Sequence, residues 1–232
     1  MGVSRLTSWL INNVYYKKIN LSGKKCIVDG CSLTFHITDK TQNHTYKEIH
    51  QQVLEWVKNI LKHNIRIEVW FDVSSKHSLL LKMKEQSKRY MSRKKNIRHL
   101  LLSWQYGNAS PRNYLHPLST LQIIMSLTEC NIPLKFVYGE ADVTIGKTIQ
   151  RGDAFAVISN DSDFATFSGC RWIPLDSFVS PLANLIEQRL LQKTLNLTTH
   201  EWNTFILALG NDYTKHLGIS QNMTPNHVLD CI

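Results

Sequence analysis

Four short apolar segments of this chain each end in a carboxylate, and this pattern restricts the fold more than any other feature. The segments are rich in β-branched and aromatic residues and lie at residues 24–30, 66–72, 134–140 and 154–161, and in the first of them Gly30 follows the carboxylate. Amphipathic stretches separate them, which is typical of a parallel sheet covered by helices. The carboxyl ends of parallel strands line one edge of an open sheet. We therefore expect four acids to converge in one crevice: Asp29, Asp72, Glu140 and Asp161.

The remaining periodicity fits the same α/β class. A fifth apolar segment lies at residues 171–175. Apolar residues at helical spacing predict helices over Tyr46 to Leu61, Leu115 to Leu127 and Ala183 to Leu195. A chain of 232 residues is long enough for one sizeable core. We predict a single domain over residues 1–232, with a central, mostly parallel sheet flanked by helices.

Three further acids extend the predicted cluster to seven. Asp142 and Asp163 each follow a strand-end acid by two residues, and Asp212 lies in the turn-like sequence LGNDY. A single aspartate after a strand is commonly a turn former or a helix cap. Two closely spaced pairs, each just past a strand, are hard to explain by turn chemistry alone, so the set indicates a functional site.

Seven ionised carboxylates in one crevice repel one another, and burial would raise their pKa values. Divalent cations relieve this repulsion, and oxygen ligands favour Mg²⁺ or Mn²⁺ over zinc. Two such ions roughly 4 Å apart activate water and stabilise an in-line phosphoryl displacement. The acids therefore predict two Mg²⁺ or Mn²⁺ ions and hydrolysis of phosphodiesters.

Charge and cysteine content indicate the partner and the compartment. The net charge is +9, which favours polyanions. Basic residues concentrate just after Asp72, where Glu85 alone opposes them: Lys76, Lys82, Lys84, Lys88, Arg89, Arg93, Lys94, Lys95 and Arg98. Such a run is either a phosphate-binding patch or a solvated helix face. The five cysteines are widely spaced, and no apolar run reaches membrane-spanning length, so we expect an intracellular protein with no membrane partner.

The order of the motifs resembles a known family. MGVSRL, IVDG, the FD at Asp72, YGEAD, ISNDSDF and LGNDY follow one another as in the flap endonuclease (XPG-like, PIN-like) superfamily of 5' nucleases. Among its members, the Asteroid-type proteins also share the PLDSF run at residues 174–178. The resemblance covers nearly the whole chain. It implies a PIN-like fold, DNA with single-strand/double-strand junctions as partner, a role in repair or replication, a nuclear location and a monomer.

The resemblance also implies roles for individual residues. Asp29, Asp72, Glu140 and Asp142 would bind one metal ion, and Asp161, Asp163 and Asp212 the other. Gly2 would approach the scissile phosphates, and Phe35 would stack on a base. The basic stretch would form an arch or gateway over about residues 74–117, in which Lys82 and Arg89 reach the scissile phosphate. Lys84 or Lys88 would serve almost as well, and both, with Arg93, would bind nucleic acid.

Two departures from the family pattern are visible. The duplex-binding helix-two-turn-helix is degenerate over about residues 210–232, where LGISQNMTPNHVLDC lacks the second glycine and the basic residues. The FDG and MGIxGL motifs have become FDV at Val73 and MGVSRL with Arg5. The chain ends inside a helix predicted to begin at Thr224 and Pro225, which leaves a continuation open.

The function predicted from sequence is a structure-selective, Mg²⁺- or Mn²⁺-dependent endonuclease acting on DNA flaps, overhangs or related junctions. Two alternatives stay open: a non-catalytic nucleic-acid-binding or regulatory scaffold with a nuclease fold, and an RNA-directed PIN nuclease. All seven acids are present, which favours the enzyme. The motifs do not distinguish 5' from 3' cleavage.

Overall fold

The computed structural model describes residues 6–41, 45–73, 118–209 and 224–232, together with the helical residues Met91, Lys94, Lys95, Arg98 and Leu102. The strands are β1 (Lys17–Asn20), β2 (Lys25–Asp29), β3 (Arg66–Val73), β4 (Leu134–Tyr138), β5 (Ala156–Ile158), β6 (Arg171–Ile173) and β7 (Leu182–Glu187). The helices are α1 (Leu6–Asn12), α2 (Gly30–Asp39), α3 (Tyr46–Leu61), α4 (Ser119–Glu129), α5 (Ala141–Arg151), α6 (Gln188–Thr194), α7 (Thr199–Leu209) and α8 (Pro225–Asp230). Two 3₁₀ turns span Ser162–Thr166 and Leu175–Ser177. Within these residues, none of the helices has both the length and the apolar character needed to cross a membrane.

The strands form one sheet in the order β1-β7-β6-β5-β2-β3-β4. The five strands from β6 to β4 run parallel to their neighbours, and β7 pairs antiparallel with both β6 and β1. Helices pack on both faces of this sheet. The predicted α/β class, with a mostly parallel sheet flanked by helices, is confirmed.

The order in which the chain builds its strands reverses at one point of the sheet. From β2 the chain moves outward to β3 and β4, then returns past β2 to build β5 and β6 on the other side. Parallel crossovers are right-handed, so this reversal also changes the face on which the connecting helices pack. α2, α3 and α4 contribute to one core, whereas α5, α6 and α7 contribute to the other. The reversal lies between β2 and β5, where an open α/β sheet forms its ligand crevice.

Strand β2 shows why the central apolar segments are continuous rather than alternating. Ile27 faces the core that contains Trp172, and Cys26 and Val28 face the core that contains Leu33. All three strand residues are fully buried. Strands covered on both faces need apolar side chains at every position, which the sequence KCIVD supplies up to its terminal carboxylate.

The predicted helix over Tyr46 to Leu61 is confirmed at both ends. Its N-cap, Thr45, accepts a hydrogen bond from the Glu48 backbone N–H at 3.2 Å. Ile49 and Val53 on its inner face are buried. The helix predicted over Leu115 to Leu127 is present as Ser119–Glu129, and residues 115–117 lie outside the described residues.

The helix predicted over Ala183 to Leu195 is wrong in its first half. Residues Leu182–Glu187 form strand β7, and the helix begins only at Gln188. Taken alone, the apolar residues of this segment fit both the helical period and the strand period. Residues Leu182 to Leu185 pair with β1, and Ile186 and Glu187 pair with β6. This long-range pairing outweighs the local pattern.

Gly30 permits a close contact at the start of α2. A Cβ atom at this position would clash with two ring carbons of Phe71. Phe71 is 3% exposed, and its ring stacks on Phe136 with centroids 6.0 Å apart. The ring is therefore held in place against the glycine.

We expect Gly30→Ala to lower the free energy of unfolding by about 1–3 kcal/mol, because an added methyl group overpacks this contact. Urea unfolding measures the change. Gly146→Ala is the matched control, since its Cβ would meet the half-buried Phe167 ring at 3.1 Å, and we expect a smaller loss. An unchanged midpoint for Gly30→Ala would contradict the contact.

Candidate active site

The structure brings the strand-end acids to one edge of the sheet. Strands β5, β2, β3 and β4 are consecutive neighbours and parallel. Asp29 ends β2 and pairs in register with Trp70, so Asp72 extends two residues further along β3. Glu140 follows β4 and Asp161 follows β5 by a short turn. Acids from four separate parts of the chain thus share the carboxyl edge.

Asp29 is held by hydrogen bonds from two directions. As the N-cap of α2, its Oδ1 accepts from the backbone N–H groups of Cys31 at 2.9 Å and Ser32 at 3.3 Å. Its Oδ2 accepts from the Ser32 hydroxyl at 2.6 Å and from the Ser159 hydroxyl at 2.7 Å. The residue is 6% exposed. These four donors fix the orientation of the carboxylate without help from a ligand.

Asp72 connects β3 to the helix that carries the next two acids. Its Oδ1 accepts a hydrogen bond from the Ala141 backbone N–H at 2.6 Å. Glu140 is the N-cap residue of α5, and Asp142 lies in the first turn of that helix. Gly139 makes the turn from β4 into α5 with a φ of +96°, which glycine adopts without a Cβ penalty.

Asp161 and Asp163 occupy a 3₁₀ turn directly after β5. Asp161 is its N-cap and accepts from the Asp163 backbone N–H at 3.0 Å. Its own backbone N–H donates to the Ser159 hydroxyl at 2.9 Å. Asp161 is buried and Asp163 is half-buried. This turn places both acids just past the carboxyl end of β5.

Electrostatics show how closely the acids are placed. Burial, followed by the charges of the neighbouring carboxylates, raises the pKa of Asp142 to about 8. The carboxylates that act on it are Asp29, Asp161, Asp72 and Asp163, in that order. Four of the other predicted acids therefore lie close enough to Asp142 for their charges to act on it.

The donor set fits a divalent cation in its chemistry. The acids offer only carboxylate oxygens, which Mg²⁺ and Mn²⁺ prefer, and a cation would offset the repulsion that raises the pKa of Asp142. Within the described ranges, no three Asp, Glu, His or Cys side chains already form a group able to hold a metal ion. The described acids are thus neighbours through their charges rather than a finished coordination shell. Asp212 lies outside the described residues.

Other residues of this edge were not predicted from sequence. Ser32 and Ser159 are buried among the acids, and Cys31 lies close enough to Asp29, Asp72 and Asp142 for their charges to raise its pKa further after burial, to about 12. Ser159 directly follows β5 and precedes Asp161 by two residues. In the sequence, Ser159 is not distinguishable from an ordinary turn serine. Ser32 offered only its position in the first turn after Asp29.

Helix α2 also carries Phe35 and His36. Phe35 is 47% exposed. His36 Nδ1 lies 2.6 Å from Asp176 Oδ1, and the Asp176 backbone N–H donates to Asn160 Oδ1 at 3.0 Å. Burial lowers the pKa of His36. This chain of contacts joins the PLDSF run to both α2 and the turn before Asp161.

Several predicted site residues lie outside the described residues: Gly2, Lys82, Lys84, Lys88, Arg89, Arg93 and Asp212. Within the basic stretch, the described residues Lys94, Lys95 and Arg98 are helical and exposed.

No protein-family model and no curated protein sequence matches the chain. Solved structures do match over nearly its whole length. The catalytic core of Rad2 in complex with DNA substrate superposes with a TM-score of 0.67 at 16% identity, over 97% of this chain and 66% of that one. Flap endonuclease-1 from Methanococcus jannaschii gives 0.63 at 16% identity, over 99% and 76%. Human GEN1 in complex with Holliday junction DNA gives 0.62 at 13% identity, over 99% and 54%.

These similarities define the fold as the PIN-like α/β nuclease fold of flap endonucleases. The chain spans about two thirds of the Rad2 catalytic core and about half of the GEN1 chain.

The pKa of Asp142 predicts how stability depends on pH. The folded value of about 8 lies above the ordinary value of 3.8, so the folded protein binds this proton more strongly than the unfolded chain. The stability from this group is present at low pH and lost as pH rises through that interval. In EDTA, we expect the free energy of unfolding to fall between about pH 5 and pH 8. The fall should be at least about 1 kcal/mol larger for the wild type than for Asp142→Asn.

Urea unfolding of both proteins at the two pH values measures this difference. Equal losses would show that burial and the neighbouring carboxylates do not raise the pKa of Asp142.

Proposed function

We propose that this chain is a structure-selective, metal-dependent endonuclease that hydrolyses phosphodiester bonds in DNA at flaps, overhangs or other single-strand/double-strand junctions, in repair or replication. The observation that carries the proposal is the position of Asp142, whose pKa is raised by burial and by four other carboxylates at the crevice of a PIN-like nuclease fold. A protein keeps such an unfavourable cluster where a function requires it.

The acids divide into two groups in this proposal. Asp29, Asp72, Glu140 and Asp142 hold one Mg²⁺ or Mn²⁺ ion, and Asp161, Asp163 and Asp212 hold the other. When bound, the two ions activate a water molecule and stabilise the attacking and leaving oxygens of the phosphodiester. Hydrogen bonds to Asp29, Asp72 and Asp161 keep these side chains at the crevice before any ion arrives.

DNA is the favoured substrate because similar solved structures contain it: the Rad2 core holds a DNA substrate, and GEN1 holds Holliday junction DNA. Phe35 stacks on a base near the cut. Base stacking tolerates any base sequence, as structure-selective cleavage requires. Gly2 approaches the scissile phosphates. The Asteroid subtype, the nuclear location and the monomeric state remain predictions from the sequence.

The basic stretch is proposed as a gateway over about residues 74–117 within one domain of residues 1–232. Lys82 and Arg89 reach the scissile phosphate and stabilise charge that develops there, and Lys84, Lys88 and Arg93 bind the nucleic-acid backbone. The exposed residues Lys94, Lys95 and Arg98 extend this surface. The degenerate region at about residues 210–232 implies a different way of anchoring the duplex.

Cleavage of end-labelled DNA tests the proposal. We expect Mn²⁺- or Mg²⁺-dependent products from flap or overhang substrates, and a loss of about 100-fold or more in Asp161→Asn, because the charge that holds a cation is removed. Asp153→Asn is the matched control, since Asp153 is an exposed acid just before β5, at the opposite edge of the sheet. It should cleave at the wild-type rate.

A parallel RNA panel and labels on each strand reveal the substrate class and the polarity. Absence of any metal-dependent product in the wild type would reject the enzyme and favour a binding scaffold. Faster cleavage of the RNA panel would move the proposal to an RNA-directed PIN nuclease.

The gateway makes a separate prediction for binding. Replacing Lys94, Lys95 and Arg98 with Glu should weaken DNA binding and lower the slope of log affinity against log salt by about 2–3, because fewer counterions are released. Fluorescence anisotropy over a salt series measures both quantities.

Glu replacements at Lys47, Lys58 and Lys62 are the matched control. They change the same amount of charge at exposed positions of α3 and its C-cap. An equal effect of the two sets would indicate a general electrostatic attraction rather than a substrate track.

A further inference from the structure

Two serine hydroxyls lie beneath the acidic crevice and touch both groups of acids. Ser159 is fully buried and Ser32 is 5% exposed. Their Oγ atoms are 2.9 Å apart, and each also lies within hydrogen-bond distance of Asp29 Oδ2. The three oxygens form a closed triangle.

Proton counting determines how this triangle is bonded. Each hydroxyl has one proton to donate, whereas an ionised carboxylate only accepts. Both hydroxyl protons are directed to Asp29 Oδ2 when that group is ionised, at 2.6 Å from Ser32 and 2.7 Å from Ser159. Together with the two backbone donors on Oδ1, they bring the number of hydrogen bonds that hold this carboxylate to four.

Ser159 differs from Ser32 because it also contacts the second group of acids. Its hydroxyl oxygen accepts from the Asp161 backbone N–H at 2.9 Å while its proton goes to Asp29. Among the described residues, this one hydroxyl therefore links a predicted ligand of the first ion to a predicted ligand of the second.

The Ser159 backbone is anchored independently of the acids. Its N–H donates to the Ile173 carbonyl at 3.0 Å, and its carbonyl accepts from the Leu175 N–H at 3.2 Å and from Trp172 Nε1 at 2.8 Å. Strand β6 and the residues after it thus hold Ser159 from the side opposite Asp29. These backbone hydrogen bonds therefore fix the position from which the Ser159 hydroxyl contacts the acids.

We propose that Ser159, assisted by Ser32, is a positioning residue that sets the placement of Asp29 relative to Asp161 and thereby the affinity for divalent metal ions. This inference rests on the proposed function. Loss of the Ser159 hydroxyl releases Asp29 Oδ2 and leaves the Asp161 N–H without this acceptor, whereas loss of the Ser32 hydroxyl affects Asp29 alone.

Mn²⁺ binding to the full chain without nucleic acid, measured by calorimetry and electron paramagnetic resonance, tests the inference. We expect Ser159→Ala to weaken Mn²⁺ affinity by about 10–100-fold and Ser32→Ala by at most about 10-fold, as for partners that orient metal ligands. In cleavage assays, Ser159→Ala should require more Mn²⁺ for half-maximal rate and recover most of the wild-type rate at saturating Mn²⁺.

Ser126→Ala is the matched control. Ser126 is 1% exposed, and its hydroxyl donates to the Gln122 carbonyl at 2.8 Å and lies 2.9 Å from His50 Nδ1, joining α4 to α3. Its loss should lower thermal stability without changing Mn²⁺ affinity.

Three outcomes of the binding measurements would contradict the positioning role of Ser159, and only one of them also contradicts the proposed function. If the wild type binds Mn²⁺ and Ser159→Ala binds it within twofold, the positioning role is wrong while the proposed function stands. If Ser126→Ala weakens binding as much as Ser159→Ala, the effect is general destabilisation and the positioning role is again wrong. If the wild type binds no Mn²⁺, the proposed function fails and this inference fails with it.

Discussion

Repulsion among carboxylates crowded at one edge of the sheet is the constraint on which the rest of the structure depends. Like charges in a buried site favour either protonation or separation. The fold prevents separation by surrounding the acids with donors, so that Asp29 accepts four hydrogen bonds and Asp72 accepts one from the start of α5. What remains is the raised pKa of Asp142, which reflects burial and negative charge that a divalent cation would offset.

The topology explains why this crowding occurs at a single place. The order in which strands are added to the sheet reverses between β2 and β5. For this reason, helical segments leave the same edge of the sheet toward opposite faces. Asp29, Asp142 and Asp161 each lie at or next to the first residue of such a segment. The N-terminal end of a helix carries unpaired N–H groups and partial positive charge, which favour an acid there. These acids thus lie both at the carboxyl edge of the sheet and at the N-terminal ends of helical segments.

The sequence predicted what depends on local pattern. Strand-end acids such as Asp29 and Asp72 were visible because apolar runs end in a carboxylate. Helix α3 was visible because its apolar residues recur at helical spacing. Strand β7 was missed because its period is ambiguous until β6 and β1 pair with it. The roles of Ser32 and Ser159 were hidden for a similar reason. Serine is common in turns, and these two hydroxyls meet across 127 residues of chain.

Asp29 has two duties that one side chain must satisfy together. It is both the N-cap that begins α2 and a proposed ligand at the crevice. Replacement by alanine would therefore remove a helix cap along with a charge, and the displaced helix would carry Phe35 with it. Asparagine, serine and threonine are also favourable N-caps. A descendant of this chain that abandoned chemistry while keeping its shape would be expected to tolerate those residues at position 29 and to reject most others.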